Sequence, residues 1–225
     1  MSDTADQTIV IVRIAVPRFA PRWLVRRKMR ATTGLYSSIP GLSFKLFTFE
    51  RTSGDFGGIY TWRDREAARA WFDEAWFERV RRERGSEPFV RLFDAPVSID
   101  NVPGGTPMSS GGGQVATLVE IPVPDGVTRE LVIAGFAAAE PTYRSVPGLL
   151  RKHFVLSERG TFGGVYLWDS AASAQAWFDE AWRTRVRERY GADPVVEWFD
   201  VPIVLPAAAG LAAGEQERVH RAQAP

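Results

Sequence analysis

The chain has 225 residues and no cysteine. Disulfides, thiolate metal sites and thiol nucleophiles are therefore excluded. Histidine is almost as scarce, with only His153 and His220. That argues against a protein-only transition-metal site, which draws on several His or Cys ligands. Neither sign of charge dominates: Lys+Arg 28 faces Asp+Glu 27, a formal net charge of +1. This balance gives no whole-chain attraction to nucleic acid or to a membrane surface. No apolar stretch approaches the roughly 20 residues that cross a bilayer. The opening MSDTADQTIV lacks the basic-then-apolar order of a signal peptide. The expectation is a cytoplasmic protein without a metal, a nucleic-acid partner or a membrane partner.

What the chain does have is aromatic: Trp 8, Phe 14 and Tyr 5 within a globular composition of 45% hydrophobic and 24% charged residues. Two of the tryptophans sit in WFDEAW at 71–76, and the same hexapeptide returns at 177–182. The register runs further. YSSIPGLSFKLF at 36–47 matches YRSVPGLLRKHF at 143–154, an offset of 147 − 40 = 107. FGGIYTW at 56–62 matches FGGVYLW at 162–168, an offset of 163 − 57 = 106. PFVRLFDAPV at 88–97 and PVVEWFDVPI at 194–203 keep that register, and VRIAVP at 12–17 matches VEIPVP at 119–124. Units of about 100 residues are too long and too few for a solenoid. The chain reads as a first unit over 1–99, a Gly/Pro/Ser-rich flexible linker over 100–114, a second unit over 115–205 and a disordered tail over 206–225 that includes His220.

Each unit reads β-α-β-β-α-β. IVIVRIAV at 9–16 is β-branched and ends at Pro17. Pro21 suits the first turn of a helix ending near Gly34. LSFKLFTFE at 42–50 is a strand, and a turn at Gly54-Asp55 leads to the next, 56–62. Asp64 caps a helix expected to run to about Arg84, with Gly85 after its end. Along it Ala67, Ala68, Trp71, Phe72, Ala75, Trp76 and Val80 form one apolar stripe. The final strand is 89–97, and Ser170 and Gly191 mark the corresponding cap and stop in the second unit.

That order is the ferredoxin-like split βαβ, whose helices cover one face of an antiparallel sheet. Both faces of strand 42–50 are largely apolar, with Leu42, Phe44, Leu46 and Thr48 on one and Lys45, Phe47 and Phe49 on the other. The open face must therefore also be buried. The simplest cover is the other unit's sheet, which predicts an α+β fold of two tandem units packed face to face as a barrel inside one chain.

PGLxxK, FGGIYTW, the Ala-rich tryptophan helix and the last strand with its LFD resemble the dimeric α+β barrel superfamily of the antibiotic-biosynthesis monooxygenases, and most closely its YdhR-like branch. The resemblance spans about 9–98 and 115–205. It implies a fused dimer and a cofactor-independent oxygenase acting with O₂ on an aromatic or polyketide-like substrate. The superfamily also contains haem-degrading enzymes, isomerases and proteins without known activity, so the fold alone does not assign a function. A cofactor-free cyclase, isomerase or lyase and a non-catalytic binder of an apolar ligand are the alternatives. Haem handling ranks last, with His153 the one axial ligand within the units. Further homodimerisation is left open.

Cofactor-free oxygenation needs a base, a donor or cation for the enolate, and a dry cavity. Positions that differ in polarity between the copies are the candidates. Phe44 becomes Arg151 and Leu46 becomes His153, two residues apart and on one strand face. Arg13 aligns with Glu120 and Arg91 with Glu197. The catalytic candidates are His153 as base, with Arg151 or Lys152 steadying the anion; the competing reading leaves His153 and Arg151 facing solvent. Substrate-binding candidates are Tyr60, Trp62, Tyr166, Trp168, Lys45, Glu120 and Trp198. The four strand aromatics either line the cavity or pack under the helices. Lys45 and Lys152 either bind an anionic oxygen or, the favoured reading, pair with Asp94 and Asp200. Asp73-Glu74 and Asp179-Glu180 read as solvated helical carboxylates, and the Arg-rich run 22–30 as an exposed helical face or a patch for an acidic partner.

Overall fold

The computed structural model describes residues 7–16, 20–103, 105–107, 109 and 112–206. The expected tail beyond 206, with His220, lies outside them. The first unit contains β1 (Gln7–Ile14), α1 (Arg22–Ala31), α2 (Thr33–Ser37), β2 (Leu42–Glu50), β3 (Phe56–Trp62), α3 (Arg65–Trp71), α4 (Glu74–Arg84) and β4 (Phe89–Asp100). The second contains β5 (Gln114–Pro122), α5 (Arg129–Arg144), β6 (Leu149–Ser157), β7 (Thr161–Trp168), α6 (Ala171–Trp177), α7 (Glu180–Tyr190) and β8 (Val195–Pro206).

The outer helix of each unit is broken where one continuous helix was expected, and WFDEAW is the break. Trp71 ends α3, and Asp73 then takes an extended backbone and caps α4, its carboxylate accepting the Trp76 amide at 2.8 Å. Asp179 does the same for Trp182 at 2.6 Å. These aspartates are therefore helix caps, filling orphan donors of the first turn. The break shifts the helical phase, so Ala68, Phe72, Trp76 and Val80 are buried while Ala75 is exposed. The opening helix also differs: Pro21 stands at its N-cap, and helical structure resumes as α2 through Gly34.

The eight strands close into one barrel in the order β1-β3-β2-β8-β5-β7-β6-β4, all neighbours antiparallel. The units do more than face each other: β2 hydrogen-bonds to β8, and β4 to β6, so no open edge remains. Gly57 and Gly163 permit the tight β1–β3 and β5–β7 approaches, since a Cβ there would lie 1.9 Å from Val12 O or 2.0 Å from Val119 O. Alternation along each strand makes two kinds of core. Ile11, Leu46, Ile59, Leu118, Val165 and Phe199 fill the barrel, while Tyr60, Trp62, Tyr166 and Trp168 lie outside it under the helices. The segment between the units is tied down where it is described. Asn101 donates to Tyr143 O and Leu149 O at 3.0 Å each, and Ser109 bridges to Val204. Among the described residues no helix is long and apolar enough to cross a membrane.

Candidate functional site

Arg151 and His153 both point into the barrel from β6. The β4–β6 register sets His153 opposite Ser98 and Arg151 opposite Asp100. His153 Nδ1 lies 2.7 Å from Ser98 Oγ, and its Nε2 lies 3.3 Å from Thr61 Oγ1 on β3. Ser98 Oγ donates to Gln7 Oε1 at 3.1 Å, which uses its only hydrogen. With that hydrogen on Gln7, Nδ1 donates to Ser98 and Nε2 accepts from Thr61; the other tautomer reverses both roles. Arg151 Nη1 lies 3.4 Å from Asp100 Oδ2, and its guanidinium stacks on Phe44 at 4.3 Å from the ring centre. Asp100 is fixed in turn by the Val102 and Thr106 amides and the Thr106 hydroxyl.

The internal symmetry gives this cluster an apolar twin. At β2–β8, Leu46 faces Val204 and Phe44 faces Pro206, where β6–β4 has His153 with Ser98 and Arg151 with Asp100. Leu167 takes the place of Thr61. Of the two junctions, only β4–β6 therefore carries a polar cluster. Both sets line one gap: Phe44, Leu46, Ile59, Val165 and Leu167 with Thr61, Arg151 and His153. The gap has a volume of ≈ 10 Å³, room for about one water-sized molecule. Burial, then the nearby Arg151 charge, lowers the His153 pKa to about 3. Burial also lowers that of Arg151, with Asp100 opposing. The Arg151 Nε is buried without a hydrogen-bond partner.

The other candidates lie elsewhere. Lys45 and Lys152 are buried on the outer face of the sheet, beneath the helices. Lys45 Nζ is 2.8 Å from the Tyr36 ring centre and 4.3 Å from that of Tyr60; Lys152 Nζ is 2.9 Å from Tyr143 and 4.6 Å from Tyr166. The favoured pairing of these lysines with Asp94 and Asp200 is corrected. Asp94 binds Arg65 and Arg129, and Asp200 binds Arg51 and Arg22. Burial holds both lysine pKa values well below the ordinary range and those of Tyr60 and Tyr166 well above it. Tyr60, Trp62, Tyr166 and Trp168 pack in these outer cores; of the four, Tyr166 also borders the gap inside the barrel. Trp198 also faces outward, 6.2 Å from Phe178. Lys152 is thus separated from His153 by the sheet itself. Glu120 does point into the barrel, but at the far end, bonded to Arg91 and, at 2.7 Å, to Thr161. Sequence reasoning passed over Ser98, Thr61 and Asp100. The signal was present: Ser98 aligns with Val204, Thr61 with Leu167 and Asp100 with Pro206, the same polarity difference that singled out His153.

Eight antiparallel strands contributed by two βαββαβ units, with the helices outside, form a closed α+β barrel within one chain. No family profile and no curated protein matches the chain. Solved structures do. A protein described as "putative monooxygenase" from Fusobacterium nucleatum superposes with a TM-score of 0.66 at 12% identity, covering 92% of this chain and 97% of that one. Another so described, from Lactobacillus acidophilus, gives 0.59 at 12% identity over 92% and 100%. An anthrone oxidase-like protein gives 0.55 at 15% identity over 93% and 96%. At these identities the likeness is one of fold.

Proposed function

We propose that the protein is a cofactor-independent monooxygenase that oxidises an aromatic or polyketide-like small molecule with O₂ at the His153 cluster. The observation that supports this reading most is the contrast between the two junctions: acceptor, hydroxyls and cation gather at the β4–β6 side and face the apolar residues of the β2–β8 side. Such a surround suits a substrate that is acidic yet electron-rich. Neutral His153 takes a proton from the substrate, and the carbanion reduces O₂ and combines with it at carbon. Loss of water then leaves a carbonyl, with one oxygen atom in product and the other in water. All four electrons that reduce O₂ come from the substrate carbon, which passes from CH₂ through the hydroperoxide to C=O, so the balance needs no further reductant. Burial penalises a lone imidazolium, but an enolate formed beside it, also facing Arg151, offsets that penalty. At ≈ 10 Å³ the gap holds about one water-sized molecule, so this reading requires the Arg151–Phe44 stack to swing aside before a ring and O₂ enter.

The test is oxygen uptake with an added anthrone or hydroquinone. Uptake is expected in the native protein, with a loss of about 10²–10⁴-fold in His153→Ala. Equal turnover under nitrogen would replace the oxygenase with a cyclase, isomerase or lyase using the same base. A second reading, a barrel that binds a small apolar molecule without chemistry, draws on the ≈ 10 Å³ volume. It is upheld if ligand binding is measurable and no product forms in either atmosphere.

A further inference from the structure

At the end of the barrel away from Arg151, four charged side chains point inward at symmetry-related positions. Arg13 on β1 and Arg91 on β4 come from the first unit; Glu120 on β5 and Glu197 on β8 come from the second. The β1–β4 register pairs Ile11 with Arg91 and Arg13 with Phe89, and the β5–β8 register pairs Leu118 with Glu197 and Glu120 with Val195. Arg13 thus corresponds to Glu120, and Arg91 to Glu197. Arg13 Nη1 lies 3.0 Å from Glu197 Oε2 and Arg91 Nη1 3.3 Å from Glu197 Oε1, and Arg91 Nη2 bonds Glu120 Oε1. Arg91 and Glu120 are only 12% and 11% exposed. All three ion pairs run between units.

Replacing either unit by a copy of the other reverses every one of these contacts. Two first units would set Arg13 against Arg91 and Arg91 against Arg91 in a half-dry barrel; two second units would do the same with glutamates. The opposite end repeats the constraint. Arg151 meets Asp100 only across unlike units, since two second units would set it against Pro206. Like charges and an unpaired buried cation both oppose association, the usual means by which specificity is built against a wrong partner.

We infer that the inner face of each unit is a pairing surface that accepts only a unit of opposite charge, so this fold closes as a 1·2 pair and never as 1·1 or 2·2. The chain meets that demand within itself, and any second copy that joins through this inner face must do so by exchanging unlike units.

Three full-length variants test this. One carries Glu120→Arg and Glu197→Arg, making both units cationic; a second carries Arg13→Glu and Arg91→Glu, making both anionic; a third carries all four changes. Each double variant is expected to lose on the order of 10 °C in Tm and its single-chain barrel. The fourfold exchange should regain a single-chain species within a few degrees of the native Tm. The two double variants, unfolded together and refolded, should form a two-chain complex in which each cationic unit meets an anionic unit of the other type. Mass measurement of the refolded mixture reads this even if neither double variant folds alone. Double variants with native Tm overturn the inference. So does a mixture that yields no two-chain species while the fourfold exchange stays as unstable as its parents.

Discussion

The two junctions that close the barrel are built on one plan and filled in opposite ways. At β2–β8 the inward pairs are Leu46 with Val204 and Phe44 with Pro206; at β4–β6 they are His153 with Ser98 and Arg151 with Asp100. The backbone is indifferent to this, since both junctions have the same antiparallel register and a shift near the same point. A closed barrel therefore tolerates either a dry or a hydrogen-bonded seam. The polar seam is the one whose stability depends on pH and on each partner staying in place.

The largest break of this comparison comes from acid. His153 has a folded pKa of about 3 against 6.5 in the unfolded chain, so the unfolded state binds the extra proton between those values. Its contribution is fully present above pH 6.5 and is lost as pH falls toward 3, on the order of 4–5 kcal/mol in all. Chemical denaturation of the native protein and of His153→Leu, which copies the Leu46 side, should show that extra slope only in the former. Parallel curves would remove His153 as a buried neutral group.

A smaller effect is expected from Asp100→Ala. It strands Arg151 in the barrel and frees Thr106, at a cost of about 3 kcal/mol. Adding Arg151→Phe, which copies Phe44, should recover part of the loss in urea unfolding. An additive pair of losses would mean the two residues do not act together.

The smallest effect lies on the outer face. Trp168 Nε1 donates to Thr117 Oγ1 at 3.2 Å, while Trp62 Nε1 is buried without a partner. The position matching Thr117 in the first unit is Val10. Thr117→Val should cost about 1 kcal/mol, and Val10→Thr should gain several tenths of that if the indole accepts the new hydroxyl. Equal Tm values for all three proteins would dismiss the pairing.

The architecture was legible because duplication and two-sided apolar strands are local signals. WFDEAW repeated at one register, and Phe44, Leu46, Phe47 and Phe49 filled both faces of one strand. The break at Asp73 was not, since a cap within an apolar stripe looks like one more helical residue. Part of the site was legible too: the exchange of Leu46 for His153 marked the polar seam. The partners of Lys45 and Lys152 were not, because pairing depends on cross-strand register. Asp200 sits opposite Phe49 rather than Lys45, within reach of Arg51 and Arg22. Nor did alternation reveal which parity faced the barrel, and that choice sent four aromatics and both lysines to the helical side.

Covalent union of the units has one more consequence. In a dimer of identical chains every substitution appears twice across the axis, so an arginine placed near the centre confronts its own image. Joined end to end, each half mutates alone. A histidine can be introduced without its reflection, and a cation can be answered by an anion at the position that mirrors it. Tethering thus lifts the twofold symmetry compulsory in a dimer of identical chains and leaves a vessel with two unlike walls.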